Sequence, residues 1–156
     1  FADRAGNLGS EQRFSYSAIG DPVNVASRVE SLTKQYGLPV LVTENTAANA
    51  SDLALLEIDL VRVVGRAQPV AIFTVLGDDV YARQPGFTSL FVAHSRMIAN
   101  YRGRLFAEAA GAAAEARKLA PPTMHAFYDN YANRIEMLCK NPPPDDWDGV
   151  LEVLEK

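Results

Sequence analysis

The sequence contains few of the residues that mark several protein classes. Its one cysteine, Cys139, is expected on the apolar side of a helix and cannot form an intrachain disulfide, so nothing indicates an oxidising compartment. No apolar run approaches the roughly 18–20 residues that a helix needs to span a bilayer. Its two histidines, His94 and His125, stand alone on helical patterns, which favours packing or surface roles over metal binding. These absences exclude a disulfide-stabilised domain and a membrane span within this sequence.

Positive charge is also in short supply. The chain has 15 Lys and Arg against 19 Asp and Glu, a net charge of -4, which argues against a nucleic-acid surface. A nucleotide site is not excluded, because a triphosphate needs only a few local cations and a metal. The sequence starts at Phe1 instead of Met and soon enters a glycine-rich turn at residues 6–10. We therefore expect the complete protein to have an upstream part.

The first eighty residues alternate between strand-like and helix-like patterns. Asp21 and Pro22 are typical of a helix start, and Gly37 is typical of a helix end. The pattern therefore predicts an α+β unit with a mostly antiparallel sheet. Its predicted elements are strand 13–19, helix 22–36, strand 38–42, a short helix within 43–50, and strands 53–64 and 70–76.

Beyond Gln84–Gly86 the pattern becomes helical. We predict a domain of residues 1–80 and an all-α helical tail of residues 81–156. Two of the tail helices are predicted at 105–119 and from Pro121 to about Leu138. Such apolar helices are expected to dock on the first eighty residues or to pack with one another. The first tail helix has one predicted apolar face formed by Leu90, Phe91, His94, Met97, Ile98 and Tyr101.

Asn24 and Arg28 are the first candidate site residues. They lie four residues apart, so they share one face of the predicted helix and lie one turn apart. A guanidinium presents a planar fork of donors that matches phosphate oxygens, and an amide one turn away could bind a sugar oxygen of the same ligand. A surface arginine beside a capping amide has the same spacing. The spacing alone leaves both interpretations open.

A longer ordered string surrounds this pair. It comprises the turn GNLGS at 6–10, Arg13, and YSAIGDPVNVASRVE at 16–30, with further matches in TKQYG at 33–37 and in 40–42 and 61–75. Together these segments resemble the signature of class III adenylyl and guanylyl cyclases over about residues 1–80. The resemblance implies a ferredoxin-like cyclase fold, of which this chain carries the C-terminal half.

The resemblance implies a reaction in which the ribose 3′-hydroxyl attacks the α-phosphate of ATP and pyrophosphate leaves. Asn24 would orient the ribose, and Arg28 would stabilise the charge that develops on the α-phosphate. Two Mg or Mn ions would be held by aspartates of the upstream half, and Asp21 is interpreted as a helix cap instead. Family members build their sites between the two subunits of a homodimer, with metal ligands from one subunit and the Asn/Arg helix from the other. Because the metal-binding half would lie upstream, this chain alone is expected to be inactive.

Two more residues follow from the resemblance as substrate-binding candidates. Ser17 occupies the position that contacts the purine, and its hydroxyl favours ATP, although it could also donate to the guanine carbonyl of GTP. Val64 occupies the position where the family often has a lysine for the β- and γ-phosphates. Arg66 lies two residues later, either as a substitute for that lysine or as a solvated turn residue.

The tail faintly resembles one tetratricopeptide-type helical hairpin. Its ending, Asp146-Trp147-Asp148-Gly149-Val150, resembles the C-terminus of bacterial membrane cyclases with a CHASE-type sensor. That likeness implies a cytoplasmic domain of a membrane-anchored protein. Two alternatives to an adenylyl cyclase stay open: a guanylyl cyclase, and a cyclase-like binding or regulatory module without turnover.

Overall fold

A computed structural model describes residues 31–63 and 68–153. Its first described element is helical, residues 31–36, and this helix ends at Gly37 as predicted. Gly37 has φ +70, its amide donates to the Lys34 carbonyl, and the Leu38 amide donates to the Thr33 carbonyl. This pair of bonds is the Schellman arrangement, which favours glycine because it requires a left-handed residue.

A mixed sheet of four strands lies at the centre of the described part, in the order β1-β3-β2-β4. The strands are β1 Val42–Thr43, β2 Ala54–Val63, β3 Val70–Gly77 and β4 Leu151–Val153. β3 pairs antiparallel with both β1 and β2, whereas β4 pairs parallel with β2. The predicted strand 38–42 is reduced to a short β1, in keeping with Pro39, which has no amide hydrogen to donate to a ladder.

The helices closely follow the predicted order. They are α1 Glu44–Ala48, α2 Asp79–Ala82, α3 Pro85–Arg102, α4 Phe106–Leu119 and α5 His125–Lys140, with a 3-10 turn at Pro122–Met124 before α5. The α+β class with a helical C-terminal part is therefore confirmed. The end of the chain differs from the all-α expectation, because β4 returns to the sheet. Within the described ranges, no helix has both the length and the apolar character of a membrane span.

The tail packs on the sheet through a continuous set of buried side chains. Leu56 and Ile58 of β2 and Ile135 of α5 are all 0% exposed and belong to this set. The ring of Tyr36, at the end of helix 31–36, lies 6.3 Å from the ring of Phe127 on α5. The tail thus docks on the described residues of the first eighty, as one of the two expectations for the tail had it. The division into 1–80 and 81–156 stays a prediction about sequence organisation.

Small residues allow α4 to approach its neighbours closely. Its buried positions are all alanines: Ala109, Ala112, Ala113 and Ala116. Two predictions about side chains were wrong. Phe91 is 47% exposed although it was placed on the apolar face of α3, and Cys139, expected on the apolar side of α5, is exposed.

Arg104 links the end of α3 to the segment before β4. It has φ 65, a left-handed conformation that costs a residue with a Cβ about 1–2 kcal/mol. Its guanidinium donates to the carbonyls of Pro143 and Pro144 at 2.8 and 2.9 Å and lies over the ring of Trp147. These contacts offset the cost of the strained backbone.

Arg104 variants should separate the strain from the contacts. Arg104→Ala removes the guanidinium contacts and keeps the strain, whereas Arg104→Gly removes both. We expect the glycine variant to be more stable than the alanine variant by about 1 kcal/mol. Urea denaturation of the two proteins measures this difference. Equal midpoints would contradict the left-handed conformation at this position.

Candidate functional site

The residues predicted to contact substrate lie outside the described part of the chain. Ser17, Asn24 and Arg28 belong to residues 1–30, and Arg66 and Val64 belong to residues 64–67. The structure therefore does not test their roles. It does describe the end of the helix predicted to carry Asn24 and Arg28, and the strand that precedes residues 64–67 in the sequence.

Two buried polar side chains and one half-buried arginine meet at the end of helix 31–36. The Tyr36 hydroxyl donates to Oδ2 of Asp59 at 2.7 Å, and Nη1 of Arg134 donates to the same oxygen at 2.9 Å. The backbone amide of Leu60 donates to Oδ1 of Asp59 at 3.0 Å. We call Tyr36, Asp59 and Arg134 the helix anchor. It joins three elements: helix 31–36, β2 and α5.

A bulge in β2 helps place the central carboxylate. Glu57 is opposite Phe73 and Asp59 is opposite Ile72, so Ile58 is an extra residue in this part of the strand. Such a bulge changes which way the following side chain faces. Asp59 is 1% exposed, and a carboxylate so buried requires a charged partner and hydrogen bonds. Arg134, Tyr36 and the Leu60 amide provide them.

Aromatic rings surround the charged end of Arg134. The guanidinium lies 4.7 Å from the ring centre of Tyr131 and 5.7 Å from that of Tyr101. Burial, followed by the charge of Asp59, raises the pKa of Tyr36, so its hydroxyl remains a proton donor to that carboxylate. Within the described residues, the Tyr131 hydroxyl is buried and has no hydrogen-bond partner. Asp59 is therefore enclosed by its hydrogen-bond partners and is almost entirely removed from solvent.

His94 makes a second polar link between the tail and β2. Its Nε2 lies 2.6 Å from the Glu57 carbonyl oxygen and its Nδ1 lies 2.8 Å from the Tyr128 hydroxyl. Because a carbonyl only accepts, Nε2 carries the proton and the Tyr128 hydroxyl donates to Nδ1. Burial lowers the pKa of His94 to about 4. The expected packing role of His94 agrees with this position, where it is 1% exposed.

The neutral state of His94 makes stability depend on pH. Its pKa is about 4 in the folded chain and about 6.5 in the unfolded chain, so this contribution is complete above pH 6.5 and is lost as the pH falls toward 4. The full loss is about 3 kcal/mol in the free energy of unfolding. Denaturation of the wild type and of His94→Gln, which cannot titrate, at pH values from 7 to 4 measures this loss. We expect the difference in free energy of unfolding between the two proteins to fall by about 3 kcal/mol over this range. A difference that stays constant with pH would contradict the lowered pKa of His94.

Residues 148–153 contact the last residues of β2. Arg62 forms ion pairs with Asp148, at 2.9 Å, and with Glu152. Strand β4 pairs Leu151 with Val61 at the same place. These ion pairs are exposed, so they stabilise the chain little by themselves. They hold this part of the tail against Arg62, which precedes Arg66 by four residues in the sequence.

The polar side chains described above join elements of the fold to one another. Within residues 31–63 and 68–153, no group of three His, Cys, Asp or Glu could hold a metal ion. Sequence reasoning missed the helix anchor. One signal for it was available: Asp59 interrupts the apolar run of β2, and Arg134 lies between Tyr131 and Ile135 on the buried face of α5. A charged residue at a mostly apolar position is rare unless it is paired, so these two residues favour an ion pair with each other.

No protein-family model and no solved structure matches the chain. Over 74 residues, 45% of this chain, it is 43% identical to an adenylate cyclase of Anabaena cylindrica. Over 73 residues, 46% of the chain, it is 36% identical to adenylate cyclase 1 of Rhizobium meliloti. Over 75 residues, also 46%, it is 35% identical to the terminal-differentiation-specific adenylate cyclase of Dictyostelium discoideum. These similarities support a cyclase-related domain. The matched stretches span 15%, 11% and 4% of the three relatives.

Proposed function

We propose that the complete protein is a class III nucleotidyl cyclase that converts ATP into cyclic AMP and pyrophosphate. This chain would supply the half of the site that binds ribose and stabilises the transition state. The observation that carries the proposal is the ordered string at residues 16–30, which contains Asn24 and Arg28. Similarity to three adenylate cyclases over nearly half of the chain supports it.

In the proposed reaction, the ribose 3′-oxygen loses its proton and forms a bond to the α-phosphorus. The bond from the α-phosphorus to the oxygen that bridges to the β-phosphate breaks, and pyrophosphate leaves. Asn24 holds the ribose by hydrogen bonds so that the 3′-oxygen faces the phosphorus. Arg28 donates to the α-phosphate oxygens as negative charge develops there. Phosphoryl transfer is catalysed mainly by such positioning and electrostatic stabilisation.

Ser17 and Arg66 complete the proposed nucleotide contacts. The Ser17 hydroxyl accepts from the adenine amino group, and Arg66 binds the β- and γ-phosphates in place of the lysine that is absent at Val64. Mg or Mn would activate the 3′-hydroxyl and stabilise the leaving group. Both ions would be held by aspartates of the upstream half, and within the described residues no group of three His, Cys, Asp or Glu could hold a metal ion.

The proposed enzyme is a homodimer with shared sites, located on the cytoplasmic side of a membrane to which its upstream part is anchored. The resemblance of residues 146–150 to CHASE-type cyclases supports the anchoring. The dimer follows from the family's division of each site between two subunits. Both are features of the complete protein and not of this chain alone.

The test is a comparison of nucleotides on the purified complete protein. ATP and GTP are supplied separately with Mg or Mn, and the products are separated by chromatography. We expect cyclic AMP from ATP at a kcat/KM well above that for GTP. A preference for GTP would show that the protein is a guanylyl cyclase. Nucleotide binding without any cyclic product would support the non-catalytic module.

A further inference from the structure

The helix predicted to carry Asn24 and Arg28 ends at Tyr36, and the helical tail holds that end. The Tyr36 side chain is 3% exposed. Its ring contacts the ring of Phe127 on α5, and its hydroxyl donates to Asp59, the carboxylate that Arg134 of α5 also binds. The last turn of the helix is therefore fixed by the tail through both apolar and polar contacts.

The shared acceptor couples the two donors. Tyr36 and Arg134 both bind Oδ2 of Asp59, so neither can move away without changing the surroundings of the other. Asp59 itself is fixed in β2 by the Leu60 amide. Because the carboxylate is 1% exposed, solvent cannot readily replace either bond.

We propose that Arg134 is a positioning residue for the cyclase site, because through Asp59 and Tyr36 it holds the described end, residues 31–36, of the helix that the sequence predicts to carry Asn24 and Arg28. The inference rests on the proposed function. It assigns the tail a part in catalysis: the tail aligns the ribose- and phosphate-binding side chains without contacting substrate.

The geometry of a helix makes such an anchor effective at a distance. Arg28 precedes Tyr36 by eight residues in the sequence, which corresponds to about 12 Å if the predicted helix 22–36 rises 1.5 Å per residue. A helix transmits a tilt at one end to the other end because its backbone bonds keep it stiff. A displacement of about 1 Å at a reacting group can lower a rate about 100-fold. A small loss of order at Tyr36 is therefore expected to reduce turnover.

A second contact of the tail supports the same role. Asp148 and Glu152, near the end of the chain, bind Arg62 of β2, four residues before Arg66. The tail thus contacts described residues next to two of the segments with proposed substrate contacts: residues 31–36, which follow Asn24 and Arg28 in the sequence, and Arg62, which precedes Arg66.

Two tyrosines of the same cluster provide a matched pair of variants. Tyr36→Phe removes the hydroxyl that binds Asp59 and keeps the ring in the core. Tyr131→Phe removes a hydroxyl that is equally buried and, within the described part of the chain, has no hydrogen-bond partner. The two variants make the same chemical change within one cluster. Only the first breaks the link between helix and tail.

The experiment measures kcat and KM for ATP in the complete protein. We expect Tyr36→Phe to lower kcat about 10-fold with KM changed less than twofold, and Tyr131→Phe to leave both within twofold. Arg134→Lys, which keeps the charge but loses the planar fork, should also lower kcat more than it changes KM. Equal kcat values for Tyr36→Phe and Tyr131→Phe would overturn the proposal.

Hydrogen exchange provides a readout that does not require activity. Mass spectrometry of the peptide that covers residues 21–35 should show faster amide exchange in Tyr36→Phe than in the wild type, and no change in Tyr131→Phe. Unchanged exchange in Tyr36→Phe would overturn the anchoring. If the wild type made no cyclic AMP, the proposed function would be overturned, and the exchange measurement would still decide whether the tail holds this helix.

Discussion

Replacing Arg28 by alanine in the complete protein is expected to lower kcat for ATP about 100- to 1,000-fold, with a smaller change in KM. The guanidinium is proposed to bind charge that develops on the α-phosphate only in the transition state. Removal of one preorganised donor of this kind costs about 3–4 kcal/mol in comparable sites. Steady-state rates of cyclic AMP formation measure the loss. Arg28→Lys should fall between the two proteins, because it keeps the charge and loses the fork.

Arg83→Ala is the matched control for the lost charge. Arg83 is 69% exposed, and its described partner is Asp79, one turn away at 3.4 Å. Its removal changes the net charge as Arg28→Ala does, so a general electrostatic effect would appear in both variants. We expect the Arg83 variant to keep wild-type turnover. Full activity in Arg28→Ala would show that Arg28 is a surface residue without a role in the reaction.

Replacing Phe127 by alanine is expected to lower the free energy of unfolding by about 3–5 kcal/mol. Phe127 is 1% exposed, and its ring contacts the rings of Tyr36, His94 and Tyr131 at 6.3, 5.9 and 5.4 Å. The cavity would thus open where the tail meets helix 31–36. Urea denaturation should show a midpoint lower by more than about 1 M, given slopes of about 1–3 kcal/mol per M.

Met137→Ala is the control on the same helix. Met137 is 65% exposed, and a substitution at such a position usually changes stability by less than about 0.5 kcal/mol. If the two variants had the same midpoint, the tail would not pack on the first segment as described. Two separate unfolding transitions in the wild type would also show that the tail does not pack on the first segment.

Local sequence patterns predicted most elements of the described part. Gly37 marks a helix end because its left-handed conformation suits a residue without a side chain. The apolar runs at 54–63 and 70–77 form the central antiparallel pair, and Pro85 begins α3 at a position where a missing amide hydrogen costs nothing. In each case the cause lies within a few residues of the effect.

The features that sequence reasoning missed depend on distant partners. Asp59 and Arg134 are 75 residues apart, and neither position alone identifies the other. Strand β4 is only three residues long and forms because Val61–Val63 provides a sheet edge. Phe91 continues the periodicity of α3 yet is 47% exposed, since periodicity does not define how wide the buried face is. Ser17, Asn24, Arg28 and Arg66 remain predictions from sequence.

The most direct measurement is the product balance of the complete protein with ATP and Mg or Mn. We expect 3′,5′-cyclic AMP and pyrophosphate in equal amounts, because the 3′-oxygen replaces the leaving pyrophosphate at the α-phosphorus. We expect no cyclic product from 3′-deoxy-ATP, which lacks that oxygen, and strongly reduced formation in Arg28→Ala. Release of ADP or AMP with phosphate, in place of cyclic AMP, would contradict the proposed function.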